Sequence, residues 1–253
     1  MRSTNHSGVR GIFAGLLVAG ALLGAEAPVG PQEGIALAIV FDTSGSMKDA
    51  VPNRDGRPTP KYVIANRALQ AVADQLETFV KGAAPGATRR LQTGLIVFKD
   101  GHPRDAIAFS ENAPDRLRRW AADFRQPAGS TPLGESLRLA SQRVLASPLS
   151  RKHVLVVTDG INTAGPAPEQ VLPGLRRTAE QKQTVLGVHF IAFDVDARVF
   201  DPVKRLGATV VGAMNEGQLR SQLQTILAQK ILLEDEEPPA PGTGKQGKSA
   251  PPK

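Results

Sequence analysis

Seven consecutive apolar residues, 35–41, end abruptly at Asp42. A run of that length with no polar alternation predicts a strand buried on both faces, as in a parallel sheet covered by helices. Residues 48–60 are polar and rich in Gly and Pro and read as a loop. After them Ala65, Leu69, Val72, Leu76 and Val80 recur at steps of three and four, which predicts an amphipathic helix. Thr59 is placed to cap it, Pro60 suits the first helical position and Gly82 its end. The pattern then repeats. Residues 91–98 predict a second strand, Asp100-Gly101 a tight turn, and residues 106–109 an antiparallel edge strand. Helices follow over 114–124 and 133–146, a buried strand over 154–157, a helix over 169–182 and a strand over 185–193. A helical turn over 199–206, a strand over 208–211 and a helix over 216–232 complete the pattern.

Strands and helices alternating at these lengths predict a doubly wound α/β fold. Its central sheet is mostly parallel, with one antiparallel edge strand and helices on both faces. The ends of the chain do not share the pattern. Arg2 and Arg10 precede an uncharged apolar run over 12–23, too short to span a bilayer, and Ala25-Glu26-Ala27 has a small-x-small cleavage pattern. Residues 1–27 therefore read as an export signal, with retention as a short N-terminal anchor the alternative. Residues 234–253 are rich in acids, Pro, Gly and Lys without apolar periodicity and read as a disordered tail. One domain is left between them, over 28–233.

The chain has a formal net charge of +7, no cysteine, and 41% hydrophobic and 22% charged residues. Without cysteine there is no disulfide, thiolate metal site, Cys nucleophile or lipid-bearing Cys. The basic residues are dispersed and the pairs Arg89/Arg90 and Arg118/Arg119 are not interleaved with aromatics. The excess positive charge thus reads as a solvated surface and not as a nucleic-acid interface. His153 and His189 fall at the start of one predicted strand and within another and read as structural. No P-loop, Gly-x-Gly-x-x-Gly or Gly-x-Ser-x-Gly pattern occurs.

Three short segments carry the candidate chemistry. Asp42-Thr43-Ser44-Gly45-Ser46 follows the first strand directly, so three oxygen side chains at alternate positions can aim at one point. Gly129-Ser130-Thr131-Pro132-Leu133 leads into a helix, and Thr158-Asp159-Gly160 ends a strand. In open α/β sheets ligands bind beyond the C-terminal strand ends, where these segments fall. Each segment alone is also explained by a turn or a helix cap. Carboxylate and hydroxyl oxygens suit a hard cation: Mg²⁺ first, with Mn²⁺ and Ca²⁺ as alternatives. Two carboxylates match its charge and three hydroxyls add ligands without charge, so the ion keeps its attraction for a further anion.

Across residues 35–232 the sequence resembles the von Willebrand factor A (VWA) family. The metal-ion-dependent adhesion site of that family combines an Asp-x-Ser-x-Ser loop, a Thr in a second loop and an Asp in a third. Asp42, Ser44, Ser46, Thr131 and Asp159 match these positions in chain order. The family often has two glycines before the Thr, where this chain has Gly129-Ser130. The resemblance implies a non-enzymatic binding module, and the leader over 1–27 predicts that it is exported, to the periplasm or beyond the cell. Its metal would bind a Glu or Asp carboxylate of a protein partner, in adhesion, scaffolding or assembly of envelope complexes. A looser similarity is to Mg²⁺-dependent phosphoryl-transfer enzymes of the haloacid dehalogenase type, with Asp42 as nucleophile. That chemistry needs a second acid two residues on, where this chain has Ser44. Asp194 and Asp196, flanking Val195 at a strand end, read as a polar loop, with a second ion site the alternative.

Overall fold

The apolar run ending at Asp42 forms the centre of the molecule. In the computed structural model, which describes residues 32–82, 89–111 and 113–232, strand β1 (Gln32–Phe41) has every residue from Ile35 to Phe41 buried. It pairs in parallel on one side with β4 (Leu91–Lys99) and on the other with β6 (Leu149–Thr158). Outside β6 lie β7 (Leu186–Phe193) and β8 (Thr209–Ala213), both parallel. On the opposite edge β5 (His102–Ser110) runs antiparallel to β4, giving the order β5-β4-β1-β6-β7-β8. The order reverses at β1, and the crevice beside that strand is the expected ligand site of such a sheet.

Alternation of side chains across the strands divides the core in two. Ile35, Leu37, Ile39 and Phe41 face α1 (Lys61–Lys81), α2 (Ala113–Asp123) and α6 (Glu216–Ile226). Ala36, Ala38 and Val40 face α3 (Leu133–Ala146), α4 (Pro168–Gln181) and α5 (Asp201–Arg205). Small side chains on the second face let α3 approach β1 closely. Full burial of each Leu, Ile, Val or Phe in these layers stabilises the fold by about 1.5–3 kcal/mol.

The expected doubly wound, mostly parallel architecture is the one observed. Several elements differ in detail. The loop at 48–60 contains a small hairpin, β2 (Ala50–Pro52) with β3 (Pro58–Pro60). Its return brings the Lys61 N–H within 2.9 Å of the Asp49 carbonyl, so α1 starts against the loop it left. Pro60, not Thr59, is the cap residue of α1, and Gly82 ends it with φ −77°, outside the left-handed region. Strand β6 starts five residues earlier than its apolar run. Arg151 to His153 pair through backbone with β1, and Lys152 and His153 also with β7, and need no apolar side chains at the sheet's N-terminal rim. The last helix is α-helical only to Ile226 and continues as a π-helical turn over Leu227–Ile231. Among the described residues no helix is long and apolar enough to cross a membrane. The expected leader, 1–27, and tail, 234–253, lie outside the described residues.

Candidate metal centre

Asp42 is the first residue beyond β1, and its N–H donates to the Val157 carbonyl of β6 (3.0 Å), so the strand pairing carries straight into the loop. Its side chain is fully buried, and both carboxylate oxygens are engaged. Oδ1 accepts from the Ser44 N–H at 2.8 Å and Oδ2 from the Thr158 hydroxyl at 2.6 Å. Burial first, and then the charge of Asp159, push this carboxyl up to about 6 against the hydrogen bonds that favour the anion. Thr43 points the other way: its hydroxyl donates to the Phe98 carbonyl and accepts the Phe98 N–H, both at 2.9 Å, locking the loop to β4.

From Asp42 a chain of oxygens leads outward. The Ser44 and Ser46 hydroxyls lie 3.2 Å apart, and Ser46 donates to Asp159 Oδ1 at 2.9 Å. Ser44 is buried and Ser46 exposed, so the cluster opens to solvent at Ser46. The second loop joins through backbone: Ala128 N–H donates to Thr43 O (2.8 Å) and Gly45 N–H to Gly129 O (3.0 Å). Gly129 has φ +85°, a conformation costly for side-chain-bearing residues. Thr131 is tied to the third loop by a pair of bonds with Thr163: its N–H donates to the Thr163 hydroxyl and its carbonyl accepts the Thr163 N–H. Gly134 permits that approach. A Cβ there would stand 2.0 Å from the Pro166 carbonyl oxygen.

The structure thus links Asp42, Ser44, Ser46 and Asp159 through side-chain and loop hydrogen bonds. It holds Thr131 on the same rim by backbone contacts alone. Among the described residues no hydrogen bond joins the Thr131 hydroxyl to the other four. The competing explanation for these residues was turns and caps. Yet Ser44 makes no side-chain cap bond to the 3-10 turn it precedes, and the cap position of α3 is Pro132, not Thr131. The local work at Asp159-Gly160 is done by the Thr158 hydroxyl, which bonds both Gly160 N–H and O. The Ser44 and Ser46 hydroxyls and the Asp159 carboxylate are not consumed by secondary structure, whereas Asp42 Oδ1 does accept the Ser44 N–H across a turn. Among the described residues no group of three or more His, Cys, Asp or Glu side chains could hold a metal ion. The donor set here is two carboxylates and three hydroxyls, a hard-cation set in which like-charged Asp42 and Asp159 lie close enough to raise the former's pKa. The residues present therefore fit a divalent cation.

Two further groups face this cluster. Lys61, the first residue of α1, is buried and directs its ammonium to Asp159 Oδ2 and to Asp194 Oδ2, at 3.0 Å each, and stands 4.0 Å from Asp49. Burial works against the charged amine, but the bonds to Asp194 and Asp159 and their charges prevail and raise its pKa. The sequence pattern treated Lys61 as a helix residue, since no spacing relates it to acids about 100 and 130 positions away. Asp194 was visible only as part of a polar loop. Asp196 does belong to such a loop, capping a 3-10 turn and pairing with Arg198. Beside the first two loops a groove of about 580 Å³ is lined by residues including Thr43, Phe98, Arg104, Trp120, Arg125 and Ala128.

Strand order, crevice and loop chemistry all agree with one family. Residues 37–162 match the family model of the von Willebrand factor type A domain. Solved structures share the fold at low identity. The PilB minor pilin from Streptococcus sanguinis superposes with a TM-score of 0.57 at 18% identity, over 79% of this chain and 62% of that one. This chain therefore spans less than two thirds of that pilin. Proximal thread matrix protein 1 from the mussel byssus, in a form with a zinc-occupied metal-ion-dependent adhesion site, gives 0.56 at 16% identity, over 78% and 48%. The SpRpn10 VWA domain gives 0.51 at 14%, over 76% and 94%. No curated protein matches the sequence. Family model and fold together support the VWA family; at these identities the structures speak for the fold.

Proposed function

We propose that this chain is an exported VWA protein that binds a divalent cation, Mg²⁺ first, and through it a Glu or Asp carboxylate of a protein partner. The metal would be held by Asp42, Ser44, Ser46, Thr131 and Asp159. The observation that carries the reading is the run of hydroxyls from Ser44 through Ser46 to Asp159, tied to Asp42 by the Ser44 N–H, set at the sheet's reversal point and with no Ser hydroxyl spent on a helix cap. When bound, the ion supplies an electrophilic centre for a carboxylate. The chain's own residues fix where that centre lies and keep it open on the Ser46 side. The pilin and byssal proteins of like fold are consistent with a role in adhesion, scaffolding or envelope assembly, and the leader-like residues 1–27 with export.

A phosphoryl-transfer role is disfavoured by Asp42 itself. A nucleophile needs an accessible oxygen, and both of its oxygens are buried and hydrogen-bonded, with Ser44 where an acid is required. Calorimetric titration of Mg²⁺ and Mn²⁺ into wild type, Asp159→Ala and Thr131→Ala tests the metal. Wild type should bind at sub-millimolar to millimolar concentrations. Asp159→Ala, having lost one of two carboxylates, should bind at least about tenfold more weakly. Thr131→Ala should retain some binding. Undetectable binding to wild type, or undiminished binding to Asp159→Ala, rules the site out.

A further inference from the structure

A lysine at the first position of a helix is locally unfavourable, because the helix N-terminus already carries partial positive charge. Helix α1 has no acid in its first turn to offset it. Lys61 nevertheless occupies that position, and its side chain is only 7% exposed. The arrangement is kept by acids from elsewhere. Asp159 comes from the third loop, Asp194 from the end of β7 and Asp49 from the first loop. Asp194 adopts φ +55°, in the left-handed region, as it turns out of β7. Departures from local preference of this kind concentrate at functional sites.

The geometry around Asp159 shows what the lysine does. The side chain of Asp159 is fully buried, with one oxygen on each of two partners: Oδ1 receives the Ser46 hydroxyl and Oδ2 the Lys61 ammonium. The lysine thus aims a single oxygen of Asp159 toward the candidate metal ligands and turns the other away. It also places a fixed positive charge beside the cluster. The ion, Lys61, Asp42 and Asp159 sum to one positive charge, which Asp194, the other carboxylate 3.0 Å from the lysine, offsets in part. Such a centre holds its ion loosely by itself and more firmly once a partner carboxylate completes it.

We propose that Lys61 is a built-in counter-cation of the metal centre. It satisfies Asp159 when no ion is bound, sets the ion's affinity below what the five oxygens alone would give, and is held off the ion by Asp194. This rests on the metal-site reading above and adds the control of its affinity.

Titration of Mg²⁺ and Mn²⁺ into the full-length chain tests it, alongside thermal unfolding in EDTA. Lys61→Met should bind Mg²⁺ about tenfold more tightly than wild type, the effect of removing one charge a few ångströms from the ion in a partly screened site. In EDTA it should unfold at a lower temperature, because Asp159 and Asp194 lose their shared counter-ion, and Mg²⁺ should restore more of its melting temperature than it adds to wild type. Lys48→Met removes an exposed lysine two residues from Ser46 and should shift affinity by less than about twofold, since solvent screens it. Asp194→Asn removes one of the two carboxylates 3.0 Å from the Lys61 ammonium, leaves more of its charge facing Asp159 and should weaken Mg²⁺ binding several-fold. Lys61→Met binding no tighter than wild type, or Lys48→Met tightening binding as much, overturns the inference while leaving the metal site standing. Should Lys61→Met not fold, unchanged affinity in Asp194→Asn overturns it, and weakened affinity there supports it. Absence of binding in both removes the metal-site reading and this inference with it.

Discussion

Asp42 illustrates how one residue can be costly to the fold and necessary to the site. Its carboxyl titrates at about 6 in the folded chain against an ordinary value of 3.8, mainly because it is buried and secondarily because Asp159 is near. A raised carboxylate pKa means that the folded state holds its proton longer than the unfolded one. The associated stability is present at acid pH and lost as pH rises through about 6. At pH 8 without metal, ionised Asp42 should therefore destabilise the fold by up to about 3 kcal/mol. Asp42→Asn removes the charge and keeps the shape. The amide oxygen can still accept the Ser44 N–H, and the amide nitrogen can donate to the Thr158 hydroxyl, which has the Gly160 carbonyl as its own acceptor. In EDTA at pH 8, urea unfolding should show Asp42→Asn more stable than wild type by about 1–2 kcal/mol, with the advantage gone by pH 4. Mg²⁺ binding should be abolished. A variant less stable than wild type at pH 8 would mean that the hydrogen bonds of the anion outweigh its burial.

At the level of elements, what the sequence made legible follows from what side-chain patterns encode. The buried strands β1, β4 and β7 were readable because both of their faces are covered, so apolar residues run without interruption. The amphipathic helices were readable because each buries one stripe. The N-terminal half of β6 was not, since Arg151 to His153 are held by backbone pairing that leaves no periodic trace. The hairpin of β2 and β3 was hidden for a similar reason: with prolines at 52, 58 and 60 it looks like a loop, and only three residues pair on each side. The candidate ligands were legible because short motifs place them at strand ends, and the loops do bring Asp42, Ser44, Ser46 and Asp159 together. Lys61 was not legible, because its meaning depends on Asp159 and Asp194, supplied by two other strand ends. Thr43 and Gly134 belong with it. One ties its loop to β4, and the other makes room for the Pro166 carbonyl, by contacts that only the fold creates.

Across the whole molecule, the two ends of the sheet carry opposite pH responses. At the C-terminal strand ends lies Asp42. Toward the other end, His153 of β6 and His189 of β7 stack with ring centroids 5.5 Å apart and Nδ1 of His153 3.3 Å from Nε2 of His189. The reading of both as structural fits their place: they share the sheet face covered by α1, α2 and α6, and His189 Nδ1 is buried with no partner. A cation there would be poorly solvated. Burial first, then the neighbouring ring and Arg151, lower His153 to about 4, and burial and Lys230 lower His189 to about 4. A base with a depressed folded pKa is protonated first in the unfolded chain. The unfolded state therefore holds more protons between about pH 6.5 and 4, and stability falls as pH drops through that window. Because the neighbouring ring is itself one cause of the lowering at His153, the loss belongs to the pair and not to either residue. Asp42 works in the opposite direction over roughly pH 4 to 6, so the net acid sensitivity of the metal-free protein should be smaller than the histidines alone would produce. Replacing His189 by Phe keeps a ring in the slot and removes both the titration and the unpartnered nitrogen. Urea unfolding of His189→Phe at pH 7 and pH 4.5, in EDTA, should show a smaller stability loss on acidification than wild type, by about 1–2 kcal/mol. An equal or larger loss would mean that the histidine pair is not what makes the fold acid-sensitive.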